Sequence, residues 1–238
     1  MKFSFKSLMM MAAVASLPAL AVPTARLRVT DLTSNVVLLD ILDNSALDTD
    51  SAIDGLISLG TTTTAGGNWK LRFTGASSKP DSGTSLYPEL SLQSSIELLT
   101  SAPRKLRIEF SEIDFDGTPF EGLLGTTTNA SANGSVKYGA SYDTGNASFG
   151  GNNNYLTLLS TNVVSGQTYS DTRLGSSLAL TPFYSLTITS EAWFDTKGRL
   201  DIDANLSAVP EPGFYGALAI GLSGLFAVVA RRRKSSNV

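Results

Sequence analysis

Between residues 22 and 208 the apolar positions recur with a period of two. Trp69, Leu71 and Phe73 alternate with Lys70 and Arg72, and Leu106, Ile108 and Phe110 alternate with Lys105, Arg107 and Glu109. Tyr184, Leu186 and Ile188 alternate with Ser185, Thr187 and Thr189, and Leu200, Ile202, Ala204 and Leu206 with Asp201, Asp203 and Asn205. Successive strand side chains point to opposite faces, so such alternation puts one face on a core and one in water, as in antiparallel sheets. Further strands are predicted at residues 27–32, 36–42, 53–59, 90–98, 135–142, 155–159 and 162–164. The stretches between them carry turn formers, among them Ala65-Gly66-Gly67-Asn68, Lys79-Pro80-Asp81-Ser82-Gly83 and Asp143-Thr144-Gly145-Asn146. Asp195-Thr196-Lys197-Gly198 is expected to join the last two strands as a hairpin. A change of phase between Phe110 and Ile113 predicts a bulge or bend near Ser111-Glu112. Short strands at near-regular spacing, with no amphipathic helix of three turns, predict an all-β fold. The preferred form is an antiparallel two-sheet β-sandwich, jelly-roll-like, with a β-barrel as the alternative.

The two ends follow other rules. Lys2 and Lys6 precede an apolar stretch over residues 8–17, and Pro18 precedes Ala19-Leu20-Ala21. A basic start, a short apolar run and small residues at Ala19 and Ala21 read as a signal peptide over 1–21, cut by signal peptidase before Val22. A first core helix is the competing reading. At the other end, Val209-Pro210-Glu211-Pro212-Gly213 opens a tail over 209–238. An uncharged run over 214–230 follows, and then Arg231, Arg232, Arg233 and Lys234. As a helix rising ~1.5 Å per residue the run reaches about 25 Å, near the short limit for a hydrocarbon core of ~30 Å. Gly216, Gly221 and Gly224 are compatible with a transmembrane helix, and the basic cluster is expected to stay cytoplasmic, leaving everything before Pro210 outside.

Pro210-Glu211-Pro212, an adjoining short apolar helix and a terminal arginine cluster together resemble the PEP-CTERM sorting signal of Gram-negative bacteria that make exopolysaccharide. The resemblance covers about the last thirty residues. It implies an inner-membrane intermediate, cleavage near the PEP motif by an exosortase, and delivery to the cell surface or extracellular matrix. A predicted final hairpin running straight into the motif also resembles the usual end of such exported domains. Those domains are diverse, so the resemblance implies an address and not a chemistry. A permanent membrane anchor is the alternative, in which the prolines simply end the last strand.

Composition narrows the chemistry. The chain has no Cys, which excludes disulfides, and no His, which excludes Ser-His-Asp and Cys-His catalysis and the common His-based zinc and copper sites. Between Arg26 and Pro210 there are 12 basic and 20 acidic residues, a net of −8. No nucleic-acid partner is expected of such a domain, and anionic polysaccharide should be repelled unless cations bridge the two.

Glu109, Glu112, Asp114, Asp116 and Glu121 form the densest acidic patch, and in a regular strand Glu112, Asp114 and Asp116 share a face. Asp48, Asp50 and Asp54 form a second. Neither has the full ligand spacing of a calcium loop, so no cofactor is assigned, although calcium is the one metal an oxygen-only ligand set favours. No carboxylate pair is selected for glycoside hydrolysis, and the expectation is a non-enzymatic exported protein. Trp69 alternates into the core, whereas Trp193, Tyr155 and Tyr169 are candidate exposed stacking residues. The asparagine-rich tract from Thr126 to Asn154, with Asn129, Asn133 and Asn146 in Asn-x-Ser sequences, is the expected variable surface. The main expectation is a cell-surface or exopolysaccharide-matrix protein. A carbohydrate-binding or calcium-dependent adhesin is the alternative, with a glycan-active enzyme behind it.

Overall fold

A computed structural model describes residues 24–50, 52–85, 87–116, 121–150, 153–157, 161–175 and 183–209, together with Ser223. Ala19, Ala21, Pro210, Glu211, Pro212, Arg231, Arg232, Arg233 and Lys234 lie outside the described residues, as do the expected signal helix and, Ser223 apart, the expected transmembrane helix.

The strands are β1 (Arg26–Asp31), β2 (Val36–Leu42), β3 (Leu56–Thr63), β4 (Trp69–Ser77), β5 (Glu89–Leu98), β6 (Arg104–Phe115) and β7 (Glu121–Ala130). They continue with β8 (Gly134–Asp143), β9 (Asn153–Thr157), β10 (Thr161–Val163), β11 (Thr168–Leu174), β12 (Tyr184–Phe194) and β13 (Gly198–Val209). One sheet has the order β10-β8-β12-β6-β1-β2, with β9 also on the free edge of β8. The other has the order β11-β7-β13-β5-β4-β3, and all the pairings are antiparallel. Most connections after β2 pass from one sheet to the other, which is the jelly-roll-like form of a two-sheet sandwich.

The expected inward residues do form the core. Trp69, Leu71, Leu106, Ile108, Phe110, Tyr184, Leu186, Ile188, Leu200 and Leu206 are all buried. Trp69 ties the two sheets together. Its ring meets Phe194 edge-on at 5.5 Å, and its indole N–H donates to Asp31 Oδ2 at 3.0 Å. Asp31 also accepts from the Thr33 and Ser34 amides and from Arg104. Burial alone would raise the Asp31 carboxyl. The Trp69 N–H, the two amides and the Arg104 charge outweigh it and hold the carboxyl below its ordinary value.

Two expectations need correction. Residues 195–198 are not a hairpin turn, because β12 pairs with β6 and β8 while β13 pairs with β5 and β7 in the opposite sheet. The segment is an arch between sheets, since each strand finds a more extensive partner than its sequence neighbour. The bulge falls at Ile113-Asp114, two residues beyond the expected place. There β6 carries one residue more than β12 between the Leu186–Glu112 and Tyr184–Phe115 pairs, and Asp114 has φ +61°.

That bulge disperses the acidic patch. Glu112 points inward, where its carboxylate accepts from Ser78 Oγ at 3.0 Å and from the Ile113 amide and pairs with Lys79 at 3.5 Å. Asp114 and Asn146 bond reciprocally through side-chain amide, carboxylate and backbone N–H. Glu109 pairs with Arg28 at 2.9 Å on the opposite face of β6. In the second patch, the Asp48 carboxylate accepts from the amides of Asn44, Asp50 and Ser58, and Asp54 accepts from Leu56. These acids are turn formers. Among the described residues no three carboxylates converge to hold a metal ion.

Burial pushes the Glu112 carboxyl up, and Lys79, Thr24, Ser78 and the Ile113 amide offset only part of this. A raised folded value means that the native state binds the proton more readily than the unfolded chain. The contribution of Glu112 to stability therefore fades as pH rises above the ordinary carboxylate range of about 4. Glu112→Gln is expected to gain stability relative to the parent between pH 4 and pH 7, read as the difference in urea midpoints. A relative loss over that interval would show Lys79 outweighing burial.

Candidate functional site

The outward face of the first sheet departs from the simple alternation. Ser185 and Thr187 should be in water, yet both are buried. A turn over residues 144–150 lies on them. It is held by Asp143, whose carboxylate accepts from the Gly145 and Ala147 amides, and by Ser185 Oγ, which donates to the Ala147 carbonyl at 2.8 Å. The Phe149 amide donates to Ser111 Oγ, and Ser111 in turn donates to the Leu186 carbonyl. The Phe149 ring stands out on this face with the Arg28 guanidinium 4.1 Å from its centre and that of Arg26 at 5.6 Å.

From Phe149 a groove of about 310 Å³ runs along β12 as far as Lys137 and Glu191, and a hollow of about 300 Å³ lined by the same two residues carries it on to Trp193. Strand register builds it row by row. Ser111, Thr187 and Ser141 lie side by side across β6, β12 and β8, followed by Glu109, Thr189 and Gly139. The next row is Arg107, Glu191 and Lys137, and the last is Lys105, Trp193 and Ser135. The floor consists of short hydroxyl side chains and a glycine, and the walls are charged. A Cβ at Gly139 would stand 3.2 Å from the Leu156 carbonyl oxygen of β9, a tight approach that glycine avoids. At the far end Trp193, 40% exposed, donates its indole N–H to Asp195 at 2.8 Å. Gly134 lets β8 approach here, because a Cβ at that position would collide with the Trp193 carbonyl oxygen.

Apart from Lys137, the charges on the walls are paired. Glu191 accepts from Lys105 Nζ at 2.7 Å and from Arg107 at 2.5 and 2.9 Å. Burial alone would raise its carboxyl, but the bonds and charges of Lys105 and Arg107 win and lower it. Lys137 makes no ion pair among the described residues. The carboxyls that are pushed up, Asp43, Glu112 and Asp203, all lie off the groove. A glycosidase acid must hold a proton at working pH, and a carboxyl held ionised between two cations is suited to accepting hydrogen bonds instead.

Of the sequence-proposed stacking residues, Trp193 is at this site. Tyr169 is half-buried on β11 of the other sheet, where its hydroxyl bonds Gln167 and the Val164 amide. The Tyr155 side chain is outside the described residues. Phe149, Lys137 and the hydroxyl floor went unrecognised. One signal was available: Trp193 has the parity of Ser185, Thr187, Thr189 and Glu191, so an aromatic stands on the polar side of its strand. A second cavity of about 420 Å³ lies at one end of the sandwich, among Thr24, Asp43, Gly55, Lys79 and Thr84.

The chain matches no protein-family model, and no curated protein matches it. Solved structures with weak likeness include TmCBM61 in complex with β-1,4-galactotriose, at a TM-score of 0.32 and 11% identity over 60% of this chain and 88% of that one. The N-terminal cellulose-binding domain of the Cellulomonas fimi β-1,4-glucanase C scores 0.35, with 12% identity over 61% and 91% of the two chains. TmCBM27, a carbohydrate-binding module described for specific mannan recognition, scores 0.33, with 13% identity over 65% and 87%. At this level of likeness the chemistry of the groove has to come from its own residues.

Proposed function

We propose that this chain is an exported, non-enzymatic glycan-binding protein whose ligand lies along β12 on the outer face of the first sheet. The observation that carries the reading is the make-up of the groove: a hydroxyl and glycine floor, walls of fixed charge, and an aromatic ring at each end. Sugar rings present apolar C–H faces to aromatic rings and hydroxyls to paired donors and acceptors. An open, prebuilt groove receives such a chain with little reorganisation. Affinity electrophoresis through gels carrying different polysaccharides tests this. Retardation by at least one polysaccharide, reversed by its soluble oligosaccharide, is expected, with no loss of the polymer's length. Unretarded migration through every gel would count against glycan binding, and shortening of the polymer against a non-enzymatic role.

The address belongs to the same proposal. Export by the signal peptide, an inner-membrane intermediate and exosortase cleavage at Pro210-Glu211-Pro212 would place the sandwich at the cell surface or in the polysaccharide matrix, where a glycan ligand is at hand. Strand β13 runs to Val209, so the motif would begin at the sandwich's edge. Substituting Glu211, or deleting Arg231 to Lys234, is expected to leave uncleaved protein in the membrane fraction, seen as intact mass. Unchanged processing in both variants would refute the sorting reading.

A further inference from the structure

We infer that the Trp193 end of the groove selects an acidic sugar, a uronic-acid residue whose ring covers the indole and whose carboxylate reaches Lys137. The inference rests on the glycan-binding reading and names the ligand class of the same site.

The domain's net charge points the other way, so the placement of charge decides. Many of the acids sit in the end loops and turns described above, while the rows of the groove carry a surplus of cations. From Ser135 to Ser141 these rows hold Arg26, Arg28, Lys105, Arg107 and Lys137 against Asp40, Glu109 and Glu191. Arg26 is matched by Asp40 and Arg28 by Glu109. The surplus therefore gathers at one place. Lys105 and Arg107 share the single carboxylate of Glu191, and Lys137 stands directly opposite Glu191 with no carboxylate of its own.

A cavity of about 300 Å³ joins these residues to Trp193. It is lined by Lys105, Ser135, Lys137, Glu191 and Trp193. Asp195 is held at the indole edge by the Trp193 N–H. The parts match the parts of a uronate. An apolar platform takes the ring face, an unmatched ammonium takes the carboxylate, and Glu191 and Ser135 take ring hydroxyls. A neutral sugar would leave the Lys137 ammonium unmatched, and a polyanion without hydroxyls would set its charge against Glu191.

The test compares affinities of the full chain, in a zwitterionic detergent, for oligogalacturonate, for neutral gluco-, galacto- and manno-oligosaccharides of equal length, and for polyphosphate. The galacturonate is expected to bind at least about tenfold more tightly than the neutral sugars, the scale of one charge-assisted hydrogen bond, and to weaken as salt rises. Lys137→Glu should remove most of that preference and flatten the salt dependence, Lys137→Arg should retain both, and the melting midpoint should hold in each. Neutral sugars binding as well as galacturonate, or Lys137→Glu behaving as the parent, would overturn the acidic specificity and leave glycan binding standing. Polyphosphate binding as tightly as galacturonate would reduce the site to a charge patch and overturn the inference. No binding of any sugar would overturn the glycan reading itself.

Discussion

Trp69→Ala is expected to cost roughly 3–5 kcal/mol of folding stability, the range for deleting a large buried aromatic side chain. Trp69 is completely buried and joins its own sheet to the other one, where it meets Phe194 on β12 and Asp31 on β1. Its loss removes core volume and also takes a hydrogen bond from a buried carboxylate. For a domain of this size that corresponds to a fall in midpoint of about 6–20 °C. Trp69→Phe separates the two effects, because it fills most of the volume but cannot donate to Asp31. The Asp31 carboxyl is held below its ordinary value, so its contribution is complete above the unfolded pKa and lost as pH falls through the folded one. Removing one donor raises the folded value, so Trp69→Phe should begin to lose stability at a higher pH than the parent. Thermal unfolding followed from pH 7 to pH 3 reads both effects. A Trp69→Ala midpoint within about 2 °C of the parent would mean that the sheets are not joined there.

Trp193→Ala should do the reverse, leaving stability within about 0.5 kcal/mol and weakening glycan binding by roughly 30-fold. The first figure follows from a side chain that is 40% exposed and covers no core. The second is the loss of about 2 kcal/mol typical of a tryptophan anchoring an interface. Calorimetric titration and melting on the same sample decide it. A change in affinity below about threefold would remove Trp193 from the contact surface.

The two tryptophans show how far the sequence could be read. Both sit in alternating strands, and parity alone puts Trp69 inward with Leu71 and Phe73, and Trp193 outward with Thr189 and Glu191. The core was legible because β4, β6, β12 and β13 keep aliphatic or aromatic residues at most inward positions. Strand β7 does not. Its inward positions are Gly122, Leu124, Thr126, Thr128 and Ala130, so no period of hydrophobicity marks it. Strand β11 is an exposed edge with almost no inward side, and it was missed for the same reason. The pairing of strands was less legible than the strands themselves, because a short turn between two alternating runs reads alike as a hairpin or as an arch between sheets. The groove was least legible. Its rows join residues 105–111, 135–141 and 187–193, which only strand register brings together. The burial of Ser185 and Thr187 depends on a turn some forty residues away that is held by Asp143.

The central claim is that glycan is bound on the outer face of the first sheet, and backbone and indole amide shifts on an isotope-labelled sample during a glycan titration test it most directly. The largest shifts are expected at Gly139, Ser141, Thr187, Thr189 and the Trp193 indole N–H, with the second sheet unmoved. Shifts confined to Asp43, Gly55, Gly83 and Thr84 around the end cavity, or to the outer face of the second sheet, would contradict it.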